Sequence, residues 1–264
     1  MEISLVFDLF DDMRAALQLS VPTIARALLR SPSLLFHPAA LSRIGMAAVW
    51  VAFGEGGDEN SRKMKIELIT PHAEGVVLDL GAGHGHVAQY LDREKVSKYI
   101  ALEPNTLMHA RLRDRARLAG FDEETGTLAI LSCGAEDTKT ILSSLEEPVT
   151  TIVSVLTLCS VPDPQETIRK LVANVLAPGG TLIMHEHVRS YRRDVAFWQG
   201  WLGVLWRMVF DGCNIDRLTD VWVRELVDEN GESVWTEGSE VWNPAMEAGE
   251  SMLPRRNGRF VKKG

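Results

Sequence analysis

Cysteine is scarce in this 264-residue chain: Cys133, Cys159 and Cys213 are widely spaced and form no C-x-x-C pair. An odd, scattered set supplies no disulfide framework and points to a reducing compartment. A clean apolar run is missing as well. The stretch from Ser33 to Gly54 is broken by His37, Pro38 and Arg43, short of the ~20 residues that span a bilayer. The N-terminus carries Glu2, Asp8, Asp11 and Asp12, where a secretory signal is basic. Positive charge is in deficit, with 28 Lys and Arg against 36 Asp and Glu and a net charge of −8. That balance argues against a nucleic acid, whose binding rests on neutralised phosphates. The basic run Arg111, Arg113, Arg115 and Arg117 alternates with Leu112, Asp114, Ala116 and Leu118, and reads as a solvated helix face. No internal repeat or low-complexity tract is visible. The expectation is a cytoplasmic protein. A membrane surface stays open as a second partner, because Leu34, Leu35, Phe36, Trp50, Val51 and Phe53 make a large apolar load. The competing reading of those residues is a helical lid over a ligand cleft.

What the chain does have is an ordinary globular composition, 45% hydrophobic and 24% charged, enough for one large domain with an appended segment. Its most informative stretch runs from Val76 to His86. The apolar Val76-Val77-Leu78 ends in Asp79-Leu80, and glycine then occupies every second position at Gly81, Gly83 and Gly85. A strand buried on both faces need not alternate with polar residues, and the glycines permit a tight turn and close backbone approach to a ligand. Three readings compete: a dinucleotide loop, a loop that seats another ligand, and a purely structural turn. In the dinucleotide pattern G-x-G-x-x-G/A the sixth position is small; here it is His86.

A second strand, Lys98 to Leu102, ends in Glu103-Pro104-Asn105. Glu103 follows Asp79 by 24 positions, close to the ~20-residue offset at which an acidic side chain grips ribose hydroxyls. A carboxylate accepts from both the 2′- and 3′-hydroxyls. The competing reading makes Glu103 a helix-capping surface residue. Downstream, strand and helix alternate: a helix from Thr106 to Ala119, strands at Leu128–Cys133 and Thr151–Leu158, and a helix from Pro164 to Leu176. Pro178-Gly179-Gly180 then turns into a strand over Thr181–His185. A tryptophan-rich helix is expected over Arg193–Phe210, with last strands near Ser233–Val241 and Gly258–Lys262. This order implies an α/β fold with a mostly parallel sheet, which binds ligands beyond the carboxyl ends of its strands.

The spacing of Asp79, Gly81, Gly83 and Gly85 resembles the first motif of class I S-adenosylmethionine-dependent methyltransferases. Leu176-Ala177-Pro178-Gly179-Gly180-Thr181-Leu182 is similar to their late motif, and Gly134-Ala135-Glu136 to the segment along the adenine ring. Leu156-Thr157-Leu158-Cys159, Glu186-His187-Val188, Phe197-Trp198-Gln199 and Asp211-Gly212-Cys213-Asn214 resemble, in that order, the alkyl-thiol methyltransferase group. The resemblance implies a Rossmann-like sandwich with a seven-stranded sheet, S-adenosylmethionine as cofactor, and a small acceptor molecule. The chain departs from the group in lacking a clear N-terminal hydrophobic anchor and in carrying Glu237, Glu240, Glu247 and Glu250 near its end. The expected organisation is a helical lid over residues 1–70 and a cofactor-binding domain over 71–264, with a helical insertion near 190–230. The expected cofactor contacts are Asp79, Gly81, Ala82, Gly83, His84 and Gly85 at the methionine end and Glu103, Pro104 and Asn105 at the ribose. Gly134, Ala135 and Glu136 are expected along the adenine, with Leu156 and Leu158 at the end of the fourth strand.

Methyl transfer needs alignment of acceptor, methyl and leaving sulfur, and a phenol or alcohol acceptor needs a base besides. His185 and His187, two apart on a strand, share one face and are the candidates, with Glu186 on the other. A structural role for His187 competes with base catalysis. A metal is not expected, because no third ligand sits at a recognisable spacing. Cys159 and Cys213 read as small apolar fillers rather than nucleophiles. Trp198, Trp201, Leu202, Leu205, Trp206 and Val209 make one apolar helix stripe, read as packing. The expected function is methyl transfer to a small, mostly apolar molecule through O, S or N. Two alternatives stand: a non-methylating reaction such as cyclisation or elimination on the same cofactor site, and a non-catalytic binding partner.

Overall fold

The computed structural model describes residues 4–244 and 251–264; Glu2, Glu247 and Glu250 lie outside them. Two long helices come first, α1 (Ser4–Arg30) and α2 (Pro38–Leu68), joined by a 3-10 turn at Pro32–Phe36. In α1 the buried Leu9, Met13, Ala16 and Ser20 recur at helical spacing and form the face toward the protein. Pro38 opens α2 at a position where a missing N–H costs nothing. Gly45 lets the two helices meet closely, since a Cβ there would stand 3.1 Å from Ile24 Cδ1. The middle of α2 also holds Gly54, Gly56 and Gly57; a side chain at either of the last two would meet nothing within 4 Å.

Seven strands follow, β1 (Gly75–Leu80), β2 (Val96–Leu102), β3 (Leu128–Leu131), β4 (Val149–Val155), β5 (Leu176–His187), β6 (Glu240–Trp242) and β7 (Arg255–Val261). They form one sheet in the order β3-β2-β1-β4-β5-β7-β6. β1 to β5 are parallel, and β7 runs antiparallel between β5 and β6. Both faces of β1 are covered: Val76, Leu78 and Leu80 join one core cluster and Val77 the other. This is why the strand reads as an unbroken apolar run. Among the described residues, the helices α3 (His109–Leu118), α4 (Thr138–Ser144), α5 (Pro164–Lys170), α6 (Arg193–Val209) and α7 (Thr219–Arg224) accompany the sheet.

Three expectations shift. The helix after Pro164 ends at Lys170 in a wider π turn over Leu171–Val175, and β5 starts at Leu176, earlier than Thr181. The proposed strand Ser233–Val241 shrinks to Glu240–Trp242, with isolated bridges at Val227–Ser233 and Trp235–Lys262. The tryptophan stripe divides: Leu202 and Trp206 are buried with Leu9, Met13 and Val49, whereas Trp201 is 69% exposed. A third core cluster thus ties α6 to α1 and α2. Chain order reverses between β1 and β4, and a crevice opens beyond their carboxyl ends, where open parallel sheets hold ligands.

Candidate active site

A cavity of about 630 Å³ occupies that crevice. Its polar end is built by the glycine loop. Gly81, Gly83 and Gly85 all have positive φ, a region in which other residues are strained. Sterics add a second demand. A Cβ on Gly81 would lie 2.6 Å from Thr157 Cγ2, and one on Gly83 would lie 2.6 Å from the Trp50 indole nitrogen. Glu103, at the end of β2, reaches across to the loop. Its two oxygens accept from the Gly83 and Asn105 N–H groups, each at 2.7 Å, and each keeps further acceptor capacity. Burial raises the Glu103 carboxyl above its usual range against the pull of those two bonds. Asn105 in turn donates from Nδ2 to the Arg43 carbonyl at 2.9 Å, pinning α2 to the end of β2.

Asp79 is fully buried and accepts from the Tyr99 hydroxyl at 2.6 Å. Burial pushes its pKa up to about 7, with the Glu103 carboxylate adding to the rise and Tyr99 and Lys65 opposing it. The carboxylate is therefore poised to ionise beside a cationic group.

The carboxyl-terminal half of α2 supplies a polar network that sequence reasoning missed. Asp58 is buried and accepts from Lys65 Nζ at 2.8 Å, Tyr90 Oη at 2.9 Å and Gln89 Nε2 at 2.9 Å. Asp58, Ser61 and Lys65 lie at i, i+3 and i+7, a helical face that could have been read as polar periodicity. Gly-Gly in the preceding turn hid it, by arguing against a helix there. His86 begins a 3-10 turn after Gly85, as expected, and its side chain also lines the cavity. Its pKa is lowered to about 4, first by burial and then by the Arg115 guanidinium.

The cavity has an apolar wall as well, made by Met46, Phe53, Trp206, Phe210 and Leu253. Its floor is the end of β4, where Leu156 adopts φ +56°. This strained turn is held by Glu186, which lies on the opposite face of β5 from His185 and His187. Its Oε1 accepts from Ser154 Oγ and from the N–H groups of Thr157 and Leu158 at 2.7, 2.9 and 3.1 Å. Thr157 Oγ1 then donates to the Leu80 carbonyl at 2.6 Å, tying the β4 turn to β1.

His185 and His187 both line the cavity. His185 Nδ1 donates to Asn257 Oδ1 at 2.7 Å, which leaves Nε2 without a proton. Burial depresses its pKa to about 3. The ring is therefore neutral at neutral pH, with its one proton on Nδ1 and Nε2 left as an acceptor toward the cavity. His187 instead meets two cysteines, with Nδ1 3.7 Å from Cys213 Sγ, itself 3.4 Å from Cys159 Sγ. These partners lie 26 and 54 positions apart, beyond any local spacing.

Of the expected cofactor contacts, Asp79, Gly81, Ala82, Gly83, Glu103, Pro104, Asn105 and Leu156 line the cavity together. The others do not. His84 is buried between two positive-φ glycines, away from the cavity wall. Gly85 serves helix packing, since a Cβ there would stand 3.2 Å from the Leu112 carbonyl. Leu158 sits in the core, its N–H taken by Glu186. Ala135 joins that core, and the Glu136 carboxylate folds onto Gly134 rather than toward the cavity. The lining also brings in Trp50 and Phe53 of the expected lid.

An adenosyl-amino-acid cofactor fits this lining on two observations. Trp50 Nε1, His86 Nε2 and His185 Nε2 are buried on the cavity wall with no hydrogen-bond partner. Buried polar atoms of this kind call for a partner. The loop also presents Gly81, Ala82 and Gly83 to the same cavity, with Thr157 and Trp50 packed where a Cβ on Gly81 or Gly83 would stand.

Residues 59–221, more than half of the chain, match a family model described as a methyltransferase domain. Thiol S-methyltransferase TMT1A of Homo sapiens is 43% identical over 70 residues, 26% of this chain and 28% of that protein. Thiol S-methyltransferase TMT1B of Rattus norvegicus is 39% identical over 69 residues, again 26% and 28%. These stretches span under a third of either relative's length. An O-methyltransferase family protein from Burkholderia thailandensis shares the fold with a TM-score of 0.58 at 14% identity, over 85% of this chain and 60% of that one. By sheet order, glycine loop and family match, the chain belongs to the methyltransferase domain family of class I fold.

Proposed function

We propose that the protein transfers a methyl group from S-adenosylmethionine to a small, mostly apolar acceptor, with a thiol as the favoured acceptor. One observation carries this reading: a single cavity is lined both by Asp79, the glycine loop and Glu103 and by the apolar Met46, Phe53, Trp206 and Phe210. The thiol is favoured by the printed activity of the two partial relatives. When bound, the cofactor supplies a methyl group already activated by its sulfonium.

The chain's own residues then have separable tasks. Asp79 and the backbone of Gly81 to Gly83 hold the cationic amino-acid end, and Glu103 receives the ribose hydroxyls. Trp50 and Phe53, from the helical segment over residues 1–70, cover the site and exclude water, so that electrostatic contacts inside strengthen. The aromatic wall orients the acceptor next to His187. His185 Nε2 accepts a hydrogen bond and takes no proton. Such an arrangement works by positioning and suits an acceptor that is already nucleophilic.

The test is a titration of the purified protein with S-adenosylmethionine and S-adenosylhomocysteine by calorimetry, followed by a mass-spectrometric screen of alkyl thiols, phenols and amines. Micromolar binding and S-adenosylhomocysteine formed in proportion to a methylated thiol are expected. Folded protein that binds neither ligand refutes the proposal. Product formed without S-adenosylhomocysteine moves the reading to a non-methylating reaction.

A further inference from the structure

Cys159, His187 and Cys213 come from three elements: the turn after β4, the end of β5 and the loop after α6. Their Sγ, Nδ1 and Sγ atoms all lie within 4.8 Å of one another. With Zn–S at ~2.3 Å and Zn–N at ~2.0–2.1 Å, tetrahedral geometry sets an S–S edge of about 3.8 Å and an S–N edge of about 3.6 Å. The observed edges are 3.4 Å between the sulfurs and 3.7 Å from Cys213 Sγ to His187 Nδ1. A zinc ion would need shifts of a few tenths of an ångström along these two.

We propose that Cys159, His187 and Cys213 ligate one zinc ion whose fourth position opens on the cavity and takes the acceptor thiol as a thiolate. Two thiolates and an imidazole are a donor set that suits zinc, and three protein ligands with one exchangeable position is the pattern of a catalytic site. His187, Cys213 and Ser160 line the cavity, whereas Cys159 closes the back of the cluster at 1% exposure. The cluster therefore faces the cavity through His187 and Cys213. The surrounding backbone is fixed: the Asn214 N–H donates to the Cys159 carbonyl at 2.9 Å, and Glu186 grips the two N–H groups just before Cys159.

Charge is accounted for as well. Zinc with two thiolates is neutral, and a bound substrate thiolate leaves one negative charge. Arg217, anchored on the Leu158 and Val161 carbonyls at 2.6 and 2.8 Å, places a guanidinium close by. In the binding step the acceptor sulfur replaces a water on zinc. A Zn–S bond forms, the bond to water breaks, the S–H electron pair stays on sulfur and the proton passes to solvent. A coordinated thiol is deprotonated outright, so the bound acceptor sulfur needs no separate general base.

This inference rests on the thiol reading above, and the experiment separates the two. Reduced full-length protein is dialysed against zinc and against cobalt, and metal content and cobalt absorption are measured for wild type, Cys159→Ser, Cys213→Ser and His187→Ala. One metal per chain is expected, with thiolate-to-cobalt charge-transfer absorption that changes when an alkyl thiol is added. Each variant should lose affinity by more than the ~10–100-fold that loss of an outer-shell partner costs. Unchanged S-adenosylhomocysteine binding in Cys213→Ser shows that the fold is intact. No bound metal, or equal binding in wild type and variants, overturns the site. A cobalt spectrum blind to saturating thiol overturns the open position. A spectrum that responds to thiol in protein that methylates none leaves the zinc site standing and sinks the thiol-methylation reading alone.

Discussion

Replacing Asp79 with Asn should stabilise the protein at pH 8 and leave it almost unchanged at pH 4. In the folded state the buried Asp79 carboxyl has its pKa pushed up to about 7 from an ordinary 3.8. A raised acid pKa means that the native state binds this proton more tightly than the unfolded chain. The stabilising contribution is complete below pH 3.8 and is lost as pH rises through about 7. Three pKa units correspond to about 4 kcal/mol at ~1.36 kcal/mol each, an upper figure for the penalty above neutrality. Asparagine matches the neutral acid in shape and still accepts from the Tyr99 hydroxyl through Oδ1, so it escapes the penalty. Glu103 titrates in the same direction, but it is present in both proteins and largely cancels in the difference. Urea unfolding at pH 4, 6 and 8, with m-values compared to confirm a common unfolding transition, reads the effect. The variant should gain about 2–4 kcal/mol relative to wild type between pH 4 and pH 8. On the proposed function, binding of S-adenosylmethionine should fall at pH 8 in the same variant, which lacks the charge that would face the cofactor's cationic end. A stability difference that is the same at all three pH values would refute the burial argument.

Gly83→Ala should lower the melting temperature and abolish measurable cofactor binding. It places a Cβ 2.6 Å from the Trp50 indole nitrogen at φ +56°, and the left-handed backbone alone costs about 1–2 kcal/mol. Glu186→Ala strands the Ser154 hydroxyl and the N–H groups of Thr157 and Leu158. At about 1–3 kcal/mol per buried unpaired donor, chemical denaturation should show a loss of at least ~3 kcal/mol. Leu35 and Phe36 are 65% and 83% exposed, and none of the helices among the described residues is long and apolar enough to cross a membrane. Sedimentation with phosphatidylcholine–phosphatidylserine vesicles should therefore show weak attachment that Phe36→Asp reduces severalfold; equal sedimentation of the two proteins would assign the exposed face another purpose.

Legibility in the sequence followed the range of the interactions. β1 and the loop after it were readable because a strand buried on both faces and a turn of positive-φ glycines are written in consecutive residues. The place of Glu103 on the cavity wall was readable because strand-loop-strand geometry fixes its offset from Asp79. The placement of His84 and Gly85 was not, since adjacency in a loop does not say which side chain turns toward the protein and which backbone must yield to α3. Glu186 was placed on the correct face of β5, but its grip on the β4 turn depends on a neighbouring strand. The meeting of Cys159, His187 and Cys213 is the extreme case, set wholly by tertiary packing. The Asp58–Lys65–Tyr90 network was hidden for a different reason, because Gly56 and Gly57 contradict the helix that carries it.

Those two glycines give α2 a mechanical character. In a helix interior each costs about 1 kcal/mol relative to alanine, and neither is there to make room for a neighbour. They fall between Phe53, on the acceptor wall, and Asp58, in the polar anchor. The lowest helix propensity in the interior of α2 thus falls between two well-anchored stretches. Both halves are anchored, the amino-terminal one through Arg43 on Asn105 and Val49 in the core with Leu9 and Trp206, the carboxyl-terminal one through Asp58 on Lys65 and Tyr90. The tertiary contacts on either side therefore offset a weak stretch of backbone that helix propensity alone would not hold.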